Sequence, residues 1–284
     1  MILHFGYGGR LGNQLFVLAY IEGMRRRSER VVSTRLGAAL RCLERVPRYL
    51  DFSGRLAIYL SKKFLRPLVE DWLVPLRVFS SHMETPDGGI ARTRGLVPIT
   101  YLKGNYQFGS LALNPPPFKL RRAYRECAQR VLKEANGKTP LFVHIRRGDY
   151  LTYRVNGQPD PSLPVRYYRS ALRALLTRVH DPFFFFLGDE PEWLSPLLGH
   201  LPHAEVVRRE APLDLAIMSL CRGGVISNST FAWWGAFLCQ HGQPIIAPRF
   251  WLGWRSRKWY PPAIRTAMFD TIDVTVGETA EARI

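Results

Sequence analysis

Four short apolar runs in the second half of the chain, at residues 141–145, 183–187, 225–227 and 244–247, are separated by stretches with a helical period. Short runs that are apolar at successive positions, not alternate ones, read as strands buried on both faces. Between them, Val165, Tyr168, Leu172, Leu175 and Val179 recur at helical spacing after Pro164, and residues 214–221 and 230–239 read as further helices. A short strand at Val206 and Val207 and a basic amphipathic helix over 118–135 complete the pattern. Strands that alternate with helices imply a parallel sheet with helices on both faces. The fold class is therefore α/β.

The first half is less regular. Residues 3–5 read as a strand, 6–12 as a glycine-rich loop, 13–27 as a helix and 31–33 as a second strand. Residues 40–100 mix Leu, Arg and Pro and read as helices and loops, whereas 101–107 look like a strand leading into a turn. Asn114-Pro115-Pro116-Pro117 is the clearest break, because consecutive prolines exclude helix and favour a stiff extended connector. It divides the chain into an N-terminal domain, 1–117, and a C-terminal domain, 118–284.

At 284 residues, with 46% apolar and 12% aromatic residues, the chain has material for a substantial core and none of the marks of disorder. The formal charge of +17 calls for anionic partners: nucleic acid, an acidic membrane surface or a phosphorylated small molecule. Lysine, however, appears only at 62, 63, 103, 119, 133, 138 and 258; the rest is arginine. A GC-rich genome produces that bias equally well, so charge alone does not decide function. Cys42, Cys127, Cys221 and Cys239 form no C-x-x-C pair, which argues against a disulfide framework or zinc site and makes a reducing cytosol the simplest home. The opening Met1-Ile2-Leu3-His4-Phe5-Gly6 lacks the sections of a signal peptide. No run approaches the ~20 apolar residues that span a bilayer.

Polar clusters stand at the strand ends, where open α/β sheets bind ligands. The first is His144-Ile145-Arg146-Arg147-Gly148-Asp149-Tyr150. Paired guanidinium forks match phosphate oxygens bidentately; a structural ion pair with Asp149 is the plainer reading. Arg147-Gly148-Asp149 is also an integrin adhesion signal, which a buried strand end does not present. The second is Gly188-Asp189-Glu190, whose carboxylates either bind ribose hydroxyls, orient the arginines, or cap a helix begun at Pro191. The third is Ser227-Asn228-Ser229-Thr230-Phe231-Ala232-Trp233-Trp234-Gly235, an anion site at a helix start or a simple cap. Its Asn228-Ser229-Thr230 sequon carries no meaning in the cytosol. A weaker candidate is Gly8-Gly9-Arg10-Leu11-Gly12-Asn13-Gln14. No P-loop spacing, H-E-x-x-H or D-x-D pair occurs. A pyrophosphate here would be neutralised by arginine, helix dipole and hydroxyls, with no metal.

Three strings, Gly9-Arg10-Leu11-Gly12-Asn13-Gln14, His144 to Tyr150 and Ser227 to Ala236, resemble the α-1,2-fucosyltransferase family in order and spacing. Asp214 to Cys221 resembles the stretch before the third string. The likeness spans roughly residues 1–250. Two departures, Gly223 where many members carry histidine and Ala232 where many carry serine, bear on fine donor contacts. The resemblance implies a GT-B architecture of two Rossmann-like domains facing a cleft, with no cofactor or metal. The donor would be GDP-fucose, held mainly by the C-terminal domain. The acceptor would be a glycan ending in a galactose-type sugar, attacked through its 2-hydroxyl with inversion.

Residue roles follow from the same resemblance. Arg146 would contact the β-phosphate and stabilise departing GDP, with Arg147 supporting it. His144 would touch the nucleoside and Asp214 the guanine. Asp189 and Asn228 join the donor site, Ser229 and Thr230 hold phosphate oxygens, and Trp233 completes the substrate-binding set. Asn13 and Gln14 would reach the donor phosphate or acceptor from the N-terminal domain. Asp149 is the candidate base, or a buttress for Arg146. Two rivals stand beside this reading: a GDP-fucose transferase of other linkage (α-1,6 or protein O-fucosylation), and a non-enzymatic RNA-binding protein, which lacks any RNP, KH or zinc-knuckle pattern. The expected location is cytoplasmic, with basic patches contacting an anionic inner-membrane face. Residues 40–113 carry no motif and are left to shape the acceptor pocket.

Overall fold

The structure, a computed structural model, describes residues 1–5, 9–44, 46–113, 118–194, 201, 203–207, 209–239 and 244–275. The expected connector at 114–117 and part of the glycine-rich loop, at 6–8, lie outside them. The chain divides into two compact units, Met1–Arg121 and Arg122–Ile284.

The N-terminal unit contains β1 (Ile2–His4), α1 (Leu11–Met24), β2 (Val31–Ser33), α2 (Gly37–Cys42), β3 (Tyr49–Asp51), α3 (Arg55–Leu60), β4 (Phe79–Glu84), β5 (Ile90–Thr93) and β6 (Val97–Lys103). Its sheet runs β3-β2-β1-β6-β4-β5, parallel throughout except for the β4–β5 pair. Residues 40–100, expected as helices and loops, therefore hold β3, β4, β5 and the start of β6. Most side chains of β4 and β5 are half-buried or exposed, so strands reading Phe-Ser-Ser-His-Met-Glu and Ile-Ala-Arg-Thr carry little apolar signal. The helix expected over 13–27 begins two residues earlier and stops at Met24. Arg25 there turns extended, while its N–H still reaches the Ile21 carbonyl.

The C-terminal unit contains α4 (Arg122–Leu132), β7 (Thr139–Ile145), a small hairpin of β8 (Arg154–Val155) and β9 (Gln158–Pro159), α5 (Val165–Leu176), β10 (Pro182–Gly188), β11 (Ala204–Val206), α6 (Ala211–Leu220), β12 (Gly223–Val225), α7 (Thr230–Leu238), β13 (Ile245–Pro248) and β14 (Asp270–Ile272). The six-stranded sheet is wholly parallel, in the order β11-β10-β7-β12-β13-β14. Counted within the unit, that is the doubly wound order 3-2-1-4-5-6. Its direction reverses between β7 and β12. Burial explains why these strands read as unbroken apolar runs. Leu141, Val143 and Ile145 pack with Phe184, Phe186, Val225 and Ile246 against Tyr167, Tyr168 and Leu172 of α5. The intervening Phe142 and Phe185 are also fully buried. β14, with its Asp270 and Thr271 exposed at the sheet edge, gave no such signal.

Gly188 ends β10 at φ +132°, and a Cβ there would stand 2.0 Å from the Ile145 carbonyl oxygen. Both the dihedral and the neighbouring backbone exclude a side chain. Gly188→Ala is expected to lower the melting temperature by roughly 5–10 °C, corresponding to about 3 kcal/mol, in thermal unfolding followed by circular dichroism.

Candidate active site

The switch between β7 and β12 brings two chain segments together that lie 83 residues apart in sequence: His144 Nδ1 meets Ser227 Oγ at 2.9 Å. Crevices outside the carboxyl ends of strands at such a switch are where doubly wound sheets bind ligands. His144 is buried, and its ring lies 5.5 Å from that of Phe231 at the start of α7. Burial pushes its pKa down to about 3, with the Arg146 charge adding to the effect. The imidazole is therefore neutral at physiological pH.

Arg146 follows β7 directly. Its Nη1 lies 3.0 Å from Asp189 Oδ2, its Nη2 donates to Asp149 Oδ1, and its guanidinium lies over the Tyr150 ring at 5.2 Å. Two carboxylates and a ring thus fix one largely buried fork. Asp189 also braces the backbone, since its Oδ1 accepts the Arg147 N–H at 2.9 Å. A Cβ on Gly148 would stand 2.9 Å from Asp189 Oδ2, so the glycine lets this carboxylate close over the turn. Asp189, read from sequence as ribose ligand, arginine partner or cap, orients the arginines. Arg147 points its Nε at Glu190 Oε2, 3.0 Å away, and lies 4.6 Å over the Trp193 ring. Tyr150 and Trp193 are the neighbours that sequence reasoning missed, since ring–cation pairs carry no motif.

Across the switch, α7 starts at Thr230, and Ser229 caps it by accepting the Phe231 N–H at 3.3 Å. Asn228 Nδ2 donates to the Pro161 carbonyl at 2.7 Å, and the Asn228 carbonyl accepts the Tyr150 hydroxyl at 3.2 Å. Asn228 Oδ1 is buried with no protein partner. So is Asp214 Oδ1, on the first turn of α6. Burial raises the Asp214 pKa to about 7, against a smaller pull downward from Arg209. A buried oxygen without a protein partner, on a carboxyl group whose ionisation burial has perturbed, is a candidate ligand contact. Trp233, expected in the substrate-binding set, is fully buried, stacked on Phe237 at 5.2 Å with Trp234 at 5.1 Å, and so packs in the core.

In the N-terminal unit, Gln14 is occupied by the fold. Its Oε1 accepts the N–H groups of Ala38 and Ala39 at 2.9 and 3.1 Å, capping α2, and its Nε2 donates to the Gly9 carbonyl. Asn13 Oδ1 accepts from Gln107 Nε2 at 3.2 Å. His4, at the carboxyl end of β1, carried no signal beyond its place in a strand. It is buried, shares Nδ1 with Ser33 Oγ at 3.2 Å, and leaves Nε2 without a protein partner. Burial, then Arg35, holds its pKa down at about 4. Among the described residues, no three His, Cys, Asp or Glu side chains converge as metal ligands.

Comparison with known proteins gives these features a context. The family model described as glycosyl transferase family 11 matches residues 96–253. The O-antigen biosynthesis glycosyltransferase WbnK of Escherichia coli is 31% identical over 128 residues, 43% of this chain and 42% of that protein. An alpha-1,2-colitosyltransferase of Escherichia coli is 32% identical over 117 residues, 39% and 40% of the two chains. Galactoside 2-alpha-L-fucosyltransferase SEC1 of Bos taurus is 30% identical over 157 residues, 51% and 42%. The matched stretch thus spans about two fifths of each relative's length. Among solved structures, a glycosyl transferase family 9 protein of Veillonella parvula superposes with TM-score 0.53 at 13% identity, covering 95% of this chain and 85% of its own. The fucosyltransferase NodZ from Bradyrhizobium gives 0.51 at 13%, covering 82% and 91%. At such identities these likenesses speak to fold alone.

Proposed function

The chain belongs to glycosyl transferase family 11 and has a GT-B-like fold of two Rossmann-like domains, and from that premise we propose that it moves L-fucose from GDP-β-L-fucose to the 2-hydroxyl of a galactose-type acceptor, with inversion. The linkage is supported by the relatives whose names carry alpha-1,2 or 2-alpha transfer. The observation that carries the chemistry is the fixed Arg146 guanidinium at the switch of the C-terminal sheet, braced by Asp189 and Asp149. When the bond between the sugar and the diphosphate breaks, negative charge collects on the β-phosphate oxygens. A donor already held in place stabilises that charge without having to reorganise. The Ser229 and Thr230 hydroxyls at the start of α7, near the positive end of the helix dipole, are assigned to the same phosphates. Asp214 is assigned to guanine, whose Watson–Crick edge offers two N–H donors to one carboxylate. Neutral His144 is assigned to the nucleoside. Asp149, paired to Arg146, acts first as a positioning residue and is the candidate base.

Colitose transfer is a second reading, favoured by the 32% identical colitosyltransferase; colitose is fucose without one hydroxyl. A thermal-shift screen against GDP, UDP, ADP and CMP, followed by transfer assays with GDP-fucose onto galactose-terminated oligosaccharides, tests the whole assignment. GDP is expected to stabilise the chain selectively, the product to carry an α-1,2 linkage by NMR, and EDTA to leave the rate unchanged. An α-1,6 product, a fucosylated peptide or an EDTA-abolished rate would overturn it.

A further inference from the structure

One surface of the N-terminal unit is left unexplained by its own core. After α3 the chain continues through π-helical turns at Ser61–Leu65 and Leu68–Leu73, where the Arg66 N–H bonds Ser61 O and the Val74 N–H bonds Val69 O. An α-helix repeats about every 3.6 residues, and a π-helix, bonded i→i+5, winds more slowly. Alternating the two brings the repeat close to about four, so every fourth side chain stands on one face. Those side chains are Leu56, Leu60, Phe64, Leu68, Trp72 and Leu76, all between 42% and 70% exposed. The opposite face is used by the fold. Ser61 Oγ pairs with Thr34 Oγ1, Val69 and Val74 pack with Leu3, Phe5 and Tyr101, and Glu70 accepts from Arg66, Lys103 and Tyr101. The stripe is therefore outward by construction. A continuous apolar strip of this kind on a soluble surface marks a docking site.

Charge identifies what docks. Arg55, Lys62, Lys63 and Arg77 are exposed beside the stripe in the chain, against an exposed Asp71, whereas Arg66 pairs with Glu70 on the opposite face. Lys63 Nζ lies 5.5 and 5.3 Å from the Tyr59 and Phe64 rings, a cation held at the apolar margin. An apolar face with aromatic residues and basic flanks is the signature of a helix lying in a membrane interface. A symmetric pairing of two copies would set this basic flank against itself. No described helix is long and apolar enough to cross a membrane. We propose that residues 55–77 seat the N-terminal unit flat on an anionic lipid bilayer, apolar stripe inward and basic flank among the headgroups. This inference stands independently of the transfer chemistry.

Co-sedimentation of the full chain with vesicles of one part phosphatidylglycerol to two parts phosphatidylcholine, and with phosphatidylcholine alone, tests it. Binding to the anionic vesicles is expected, weakening as salt is raised. The variant F64S/W72S should lose about tenfold or more in partition coefficient, and K62Q/K63Q should fall towards the level on neutral vesicles. Thermal stabilisation by GDP should be the same in both variants as in the wild type. If GDP stabilises none of the three proteins, the nucleotide reading fails and the vesicle result still stands. Wild-type protein left in the supernatant, F64S/W72S bound as well as wild type, or a concentration-dependent dimer that F64S/W72S dissolves would each overturn the proposal.

Discussion

Arg146→Ala lowers turnover by about a hundredfold or more, a loss of about 3 kcal/mol of transition-state stabilisation. The expectation rests on how the side chain is held. Asp189, Asp149 and the Tyr150 ring fix the guanidinium before substrate arrives, so its contribution grows as charge moves onto the leaving diphosphate. kcat should therefore fall more than KM rises. The fold should survive, because Asp189 keeps its bond to the Arg147 backbone and the core beneath is untouched. Arg146→Lys retains the charge but cannot satisfy two carboxylates and a phosphate with a planar fork, and should recover only part of the loss. Steady-state kinetics beside a melting curve read all of this. An Arg146→Ala protein with unimpaired kcat would remove the arginine from the reaction.

What the sequence made legible follows burial. The C-terminal sheet was readable because both its faces are covered, so β7 and β10 are apolar at nearly every position. The N-terminal sheet was half readable: β4 and β5 are largely half-buried or exposed and read as polar chain. At the site, each cluster announced itself at a strand end, where charges and hydroxyls interrupt an apolar run. Their partnerships stayed hidden. His144 and Ser227 meet only because strand order reverses between β7 and β12. Gln14 looked like a ligand residue because nothing local shows that it caps a helix 24 residues on. Trp233 shared a motif with true strand-end residues, but helical phase turned it into the core. The stripe over 55–77 is silent in the sequence because a four-residue repeat matches neither the helical nor the strand period; only the π-turns bring it onto one face.

Asp214 offers the sharpest test of the donor assignment, because its two roles have opposite pH signatures. In the free protein its carboxyl resists ionisation, with a pKa raised to about 7 by burial. Between about pH 4 and 7 the native state holds a proton that the unfolded chain releases, so this group's contribution to stability is full below pH 4 and declines as pH rises, by about 4 kcal/mol at most. Guanine binding runs the other way. The ionised carboxylate accepts two N–H groups better than the acid does, so GDP affinity should climb as pH rises through 7. Asp214→Asn removes both slopes. It should be more stable than wild type above pH 7, yet bind GDP about 10- to 100-fold more weakly at pH 8, the cost of roughly one charge-assisted hydrogen bond. The terminal phosphate of GDP titrates in the same range, but it does so equally against both proteins, so the difference between their profiles reports the carboxylate alone. Calorimetric titration of GDP from pH 6 to 8 measures it. Parallel profiles for wild type and Asp214→Asn would take guanine away from α6, and with it the reason for leaving a carboxylate oxygen buried and unpaired.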